Sequence, residues 1–237
     1  MSSRSLCLTG GASAAILEDL AWLGFVADAP PVRQSERDDI YGQALDTVRR
    51  QGLVYSCDCS RAEIAGATAG LKACIATDGS EPAADAELRY PGTCRDRGLA
   101  EGPGVGLRVR LEPSIVRFDD LRLGAQEQTP SAQCGDLLAR DRDGNWTYQF
   151  AATVDDLVQG VTLVIRGVDL LASTGRQIQL ARLLGRDESP AFLHHPLIMK
   201  TAEQKLSKSD GDTGIRELRA AGWAPEDVIA RALSLAG

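Results

Sequence analysis

No apolar run in the 237 residues approaches the roughly 18 that a membrane-spanning helix needs, so a transmembrane segment is not expected. The opening stretch, MSSRSLCLTGGASAAILEDL, also lacks an apolar core long enough for a signal peptide, because its apolar residues give way to Glu18 and Asp19. A cytoplasmic protein is expected. Excess positive charge is missing too. With 33 acidic against 26 basic residues the net charge is -7, which excludes a general basic face for nucleic acid but leaves room for a local lysine or arginine patch. Histidine is scarce, with two residues placed side by side as His194 and His195. There is no internal repeat and no long linker. What remains is ordinary for a globular chain: 43% hydrophobic and 25% charged residues, and enough length for one large domain or a domain carrying a small module.

Helical spacing is present at Ile16, Leu20 and Leu23, with Gly24 placed as a stop. After the Pro30-Pro31 turn, Ser35 is the expected N-cap of a second helix. Its apolar stripe is Ile40, Tyr41, Ala44, Leu45 and Val48, and it ends at Gly52. LVYSCDCS reads as a short strand entering a cysteine-bearing turn, and Ala62 to Pro103, rich in Ala, Gly, Asp and Pro, as an irregular insert. Alternation in VGLRVRL turns Val105, Leu107, Val109 and Leu111 one way and Arg108 and Arg110 the other. WTYQFAATVDD and VTLVIRG read as strand-like stretches flanking an acidic turn. A helix from Ser173 carries Ile178, Ala181 and Leu184 and stops at Gly185, and AFLHHPLIM is a buried strand. Two short helices follow, one ending near Gly222 and one opening at Pro225. Alternating strands and helices make α/β the expected class.

Three groups of residues could carry chemistry. Six cysteines in a chain of this kind argue against a disulfide framework. Cys57, Cys59 and Cys94 share one region and supply three of the four ligands that a structural zinc needs, whereas Cys7, Cys74 and Cys134 are scattered. The fourth ligand is open between Cys74, the softer donor, and Tyr90, beside the Pro91-Gly92 turn. The plainer reading is three small buried apolar residues. EQKLSKSDGDTG sets Lys205 and Lys208 in a loop between an apolar strand and a helix, where they could neutralise the phosphates of ATP as pyrophosphate leaves; a solvated loop is the plainer alternative. Arg166, inside an apolar run, needs a partner because a buried unpaired charge is costly. A carboxylate ligand, taken together with Tyr148, would satisfy it, as would a salt bridge to Asp155, Asp156 or Asp169.

In order and spacing, YSCDCSRAEI, RYPGTCR, YQFAATVDDLVQGVTLVIRGVDLL, STGRQIQLARLLG, FLHHPLIMK and KLSKSDGDTGIREL resemble the glutamyl-tRNA synthetase catalytic-domain family, and within it the glutamyl-Q tRNA(Asp) synthetases. The resemblance covers residues 14 to 235. It implies a class I synthetase fold, a Rossmann-like α/β domain with a small zinc-binding insert at 53–103 and a signature-loop and C-terminal helical segment at 186–237. It implies a monomeric enzyme that activates glutamate with ATP and magnesium and passes it to queuosine at the wobble position of tRNA(Asp). Carried over residue by residue, Cys57, Cys59, Tyr90 and Cys94 match the zinc ligands, and Tyr148 and Arg166 match the glutamate-binding positions. Lys205 to Ser209 match the signature loop, in which Lys208 contacts ATP.

The family's other signature, a His-x-Gly-His-like element, is not in these residues, since both histidines lie in FLHHPLIM. The expectation is a single catalytic domain, residues 1–237, truncated at its N-terminus, marginally stable and slow to form adenylate. Two alternatives stand beside it: an inactive remnant that binds zinc and tRNA or glutamate without turnover, and a fragment of a glutamyl-tRNA synthetase.

Overall fold

The computed structural model describes residues 10–75, 88–199 and 214–236. They divide into two compact units, Arg37–His194 and the pairing of Met1–Glu36 with His195–Gly237.

The smaller unit holds helix α1 (Gly10–Trp22) and, further along the chain, α7 (Ile215–Ala220) and α8 (Pro225–Ala236). Gly24, at φ +86°, turns the chain away from α1 in the left-handed conformation that glycine tolerates. Helix α7 lies against α1: the Arg219 guanidinium donates to Asp19 at 2.7 Å and sits over the Trp22 ring at 5.4 Å.

In the larger unit, α2 (Asp38–Arg49) carries Asp38 and Asp39 in its first turn and Arg49 in its last, the arrangement that complements a helix dipole. Its Tyr41, Leu45 and Val48 face a core completed by Leu107, Val109, Leu137, Phe150, Val154 and Leu180. Burying a side chain such as Phe150 completely is worth about 1.5–3 kcal/mol. The strands at this core are β1 (Val54–Cys57), β2 (Gly106–Val109) and β5 (Leu137–Arg140), which form an antiparallel sheet in the order β1-β2-β5. A second sheet, in the order β4-β3-β7-β6, holds β3 (Val116–Asp120), β4 (Gly124–Gln128), β6 (Leu163–Gly167) and β7 (Ala191–His195). Strand β3 runs antiparallel to β4 and parallel to β7, with Asp120 opposite Phe192. Helices α3 (Arg61–Ile75), α4 (Pro130–Gln133), α5 (Tyr148–Val158) and α6 (Thr174–Leu183) complete the unit. A separate apolar cluster, Val116, Phe118, Ile178 and Phe192, seals α6 against the second sheet.

The mixed α/β class agrees with the sequence expectation, and three local expectations are corrected. Ser35 does not cap α2; it lies in the 3-10 turn Gln34–Glu36, and Arg37 occupies the cap position. The start of the supposed irregular insert is the helix α3. It is opened by a reciprocal capping box in which the Ser60 amide donates to Glu63 Oε2 at 2.7 Å and the Glu63 amide donates to Ser60 Oγ at 3.2 Å. The alternation in VGLRVRL holds: Leu107, Val109 and Leu111 enter the core, while Arg108, also buried, packs over Tyr90. YQFAATVDDLV is the helix α5 and not a strand, because Phe150, Ala151 and Val154 recur at helical spacing on the core side. Asp155 consequently lies in a helix and not a turn. It accepts from Tyr41 Oη at 2.9 Å and pairs with Arg37 at 2.8 Å.

Candidate metal centre and candidate active site

The first site grows from β1. The strand ends at Cys57, and the turn that follows carries Cys59 back toward Cys94, so the three sulfurs lie within 4.8 Å of one another. Cys59 Sγ and Cys94 Sγ are 3.4 Å apart. Two thiolates on one tetrahedral zinc stand about 3.8 Å apart, so the sulfurs need little movement to take the ion. Tyr90 Oη comes to 3.4 Å from Cys57 Sγ and accepts a 2.8 Å bond from the Cys94 amide. It therefore lies at the rim of the same cluster. The side chain of Cys74 and all of Cys7 lie outside the described residues; Cys134 donates to the Pro130 carbonyl at 3.1 Å.

The surroundings hold Tyr90 in place. Its amide donates to the Cys134 carbonyl at 2.9 Å, and the Arg108 guanidinium covers its ring at 3.6 Å. Gly135, at φ +70°, passes so near that a Cβ there would meet the Tyr90 carbonyl oxygen at 2.0 Å. Asp136, its side chain fully buried, accepts from Tyr55 Oη at 2.6 Å and Arg95 Nε at 2.8 Å, tying the loop after Cys94 to the first sheet. Burial, and then the Cys94 thiol, pushes the Cys59 thiol up to about 12. Burial and the Cys57 sulfur likewise raise the Tyr90 phenol. Burial would also raise Cys57, but hydrogen bonding to Tyr90 and Arg108 outweighs it and holds that thiol below its ordinary value. Without a cation the cluster resists holding more than one negative charge, and a metal entering it would expel protons. The cluster fits a metal ion.

The second site lies at the second sheet. Arg166, on β6, is only 9% exposed, yet its three hydrogen bonds run to neutral groups. Nε donates to His194 Nε2 at 3.0 Å, one terminal nitrogen to Gln177 Oε1 at 2.5 Å, and the other to Thr174 Oγ1 at 2.7 Å. The ring of Phe192 lies 5.5 Å from the guanidinium carbon. Burial depresses the pKa of Arg166, and Tyr148 and Asp156 act against that depression. Tyr148 begins α5, is 54% exposed as a residue, and lies close enough to Arg166 to support its charge. Burial raises the Asp156 carboxyl, opposed by Arg166 and Arg186. A cleft lined by Thr153, Asp156, Gln177, Ile178, Arg186 and Phe192 opens beside this network.

Both sequence-predicted pairs thus come together: the cysteines with Tyr90, and Tyr148 with Arg166. Lys205 and Lys208 lie outside the described residues. The acceptors His194, Thr174 and Gln177 were not anticipated. The signal for His194 was available, because a histidine in an apolar strand needs a buried partner as much as an arginine does.

Residues 8–237 match the model of the family described as tRNA synthetases class I (E and Q), catalytic domain. The chain belongs to this class I synthetase family. Among its relatives, the glutamyl-Q tRNA(Asp) synthetase of Geobacter sulfurreducens is 46% identical over 196 residues, covering 82% of this chain and 59% of that protein. The glutamyl-Q tRNA(Asp) synthetase of Albidiferax ferrireducens is 41% identical over 223 residues, covering 85% of this chain and 69% of its own length. The crystal structure of a glutamate tRNA ligase from Elizabethkingia meningosepticum, in complex with its amino acid, superposes with a TM-score of 0.70 at 26% identity. That match takes in 93% of this chain and 50% of the ligase, so the class I synthetase chain spans about half of that structure. No helix among the described residues is long and apolar enough to cross a membrane.

Proposed function

We propose that this class I synthetase chain belongs to a cytoplasmic enzyme that joins glutamate to ATP as glutamyl-adenylate, releases pyrophosphate, and passes the glutamyl group to queuosine in tRNA(Asp). In this reading Arg166 takes a carboxylate of glutamate, Tyr148 closes over the same ligand, and Lys205 and Lys208 neutralise the phosphates of ATP. Cys57, Cys59, Cys94 and Tyr90 hold one zinc ion, which acts by fixing the loop that carries them. The observation that supports the reading best is the buried guanidinium of Arg166 with neutral acceptors on all three nitrogens. Neutral acceptors satisfy the N–H groups but cancel no charge, so the cation still attracts an anion strongly in its low-dielectric surroundings. The names of the relatives supply the glutamate and the tRNA.

Calorimetric titration of the 237-residue chain with L-glutamate tests the site. The expected result is saturable 1:1 binding that L-glutamine does not match and that Arg166→Ala abolishes. Equal binding by the wild type and Arg166→Ala would sink the assignment. For the transfer step, radiolabelled glutamate should join tRNA(Asp) only when queuosine is present; label at the 3′ end would instead mean ordinary charging.

A further inference from the structure

Arg166 is the visible end of a longer chain of contacts that begins at Asp120, the last residue of β3. Oδ1 of Asp120 accepts from the amides of Arg122 at 3.0 Å and Leu123 at 2.9 Å, which pins the carboxylate to its own turn. Oδ2 accepts from the His194 amide at 3.0 Å and lies 2.6 Å from His194 Nδ1. Both side chains are fully buried. Burial alone would raise the Asp120 carboxyl, but the bond from His194 and those two amides outweigh it and hold the carboxyl below the usual carboxylate range.

Donor chemistry then fixes the proton on the ring. Nε of Arg166 always carries hydrogen, so His194 Nε2, 3.0 Å away, has to accept. The imidazole is therefore neutral, with its single proton on Nδ1, pointing at Asp120. A doubly protonated ring would set two N–H groups against each other. The Thr174 hydroxyl fits the same scheme: it accepts from Arg166 and can donate its own proton to His194 Nε2 at 3.2 Å. The amide of Gln177 is oriented as well, because its Nε2 donates to Gln149 Oε1 at 2.8 Å and leaves its oxygen for Arg166. Each guanidinium nitrogen is thus held once. One N–H remains on each terminal nitrogen; Tyr148 reaches the guanidinium, and a ligand carboxylate that displaced it would meet two such groups side by side, the fork that carboxylates grip with parallel bonds.

We infer that His194, held in its Nδ1-protonated form by Asp120, is a positioning residue that sets the plane of the Arg166 fork toward the amino-acid ligand. His194 touches no substrate in this scheme; it acts through Arg166. The inference rests on the reading of Arg166 as the carboxylate site, and its test separates the two. Long-range proton–nitrogen correlation on the 15N-labelled 237-residue chain reports the tautomer without any ligand. The expected spectrum has one histidine with a protonated Nδ1 and a bare Nε2, and a slowly exchanging Arg166 Nε–H. Asp120→Asn should move that proton to Nε2 and expose the Arg166 Nε–H to exchange. An Nε2-protonated ring in the wild type, or an Arg166 signal unmoved in Asp120→Asn, overturns the inference.

Glutamate titration gives the second readout. His194→Phe keeps the ring stacked on Phe192, now at 6.1 Å, but removes the acceptor. It should weaken glutamate about 10- to 100-fold, whereas His194→Gln, which restores an acceptor oxygen, should stay within about 3-fold of wild type. Equal affinity in the wild type and His194→Phe overturns the inference while leaving the Arg166 site standing. Failure of the wild type to bind glutamate counts against the substrate reading alone, and the tautomer spectrum still decides the role of His194.

Discussion

The thiol cluster and the arginine network pose charge problems of opposite sign. Around Cys57, Cys59 and Cys94, three sulfurs and a phenol oxygen are crowded together, and the raised pKa values of Cys59 and Tyr90 record how poorly that crowd carries negative charge unaided. Around Arg166 a single cation is buried with its three hydrogen bonds on neutral groups, and the charge of Asp156 reaches it without a direct ion pair. The first arrangement calls for a cation that stays. The second keeps its charge in reserve for an anion that comes and goes. On the proposed reading, a resident ion would be built into the fold, while a substrate would be met by a group whose hydrogen bonds are already satisfied.

The largest effect that would break this contrast is expected at Arg166 itself. Arg166→Ala should weaken L-glutamate at least roughly 100-fold by calorimetry, and Arg166→Lys nearly as much, because an ammonium cannot reach three acceptors and still present a fork. Next comes the metal. The purified chain should carry about one zinc by atomic absorption, and Cys57→Ser should reduce it to none and lower Tm by roughly 10 °C. Cys74→Ser should keep the metal; losing it there would transfer the fourth ligand from Tyr90 to Cys74. A smaller effect is expected at Gly135, where the Cβ of alanine would meet the Tyr90 carbonyl oxygen at 2.0 Å in a left-handed backbone. Gly135→Ala should cost about 1–3 kcal/mol in urea denaturation and weaken zinc, while glutamate affinity stays the same. Equal damage to both ligands would mean that the two sites are not energetically separate.

The smallest effect is a dependence on pH. Asp120 has a folded-state pKa below its ordinary value, so its stabilising contribution is fully present above about pH 4. It fades as the pH falls further, through the lower folded value. Asp120→Asn should therefore be less stable than wild type at neutral pH and should flatten the acid limb of the stability profile between about pH 4 and that lower value, as followed by circular dichroism.

The two sites were not equally legible in the sequence. The metal cluster depends on short-range spacing: Cys57 and Cys59 sit two residues apart, and one Pro-Gly turn announces Cys94. Spacing could not choose between Tyr90 and Cys74; the fold brings Tyr90 Oη to 3.4 Å from Cys57 Sγ, held there by Gly135 and Arg108. The arginine network joins residues from β3, β6, α6 and β7, so only the sheet order makes them neighbours. An arginine in an apolar strand foretold that a partner exists, but not that the partner is a histidine 28 residues on. Amphipathic stripes such as Tyr41, Leu45 and Val48 were readable because the core uses them at their natural period. YQFAATVDDLV was misread because its β-branched and aromatic residues suit a strand, whereas packing of Phe150, Ala151 and Val154 selects a helix. The start of α3 was missed although Ser60 and Glu63 spell a capping box.

A crystal structure of the chain grown with L-glutamate, with data at the zinc absorption edge, tests the contrast most directly. The account predicts an anomalous peak about 2.3 Å from the sulfurs of Cys57, Cys59 and Cys94. In the same crystal, a glutamate carboxylate should lie on the two terminal nitrogens of Arg166, with His194 still against Nε. Glutamate bound away from Arg166, or Arg166 swung out to pair with a protein carboxylate, would contradict it.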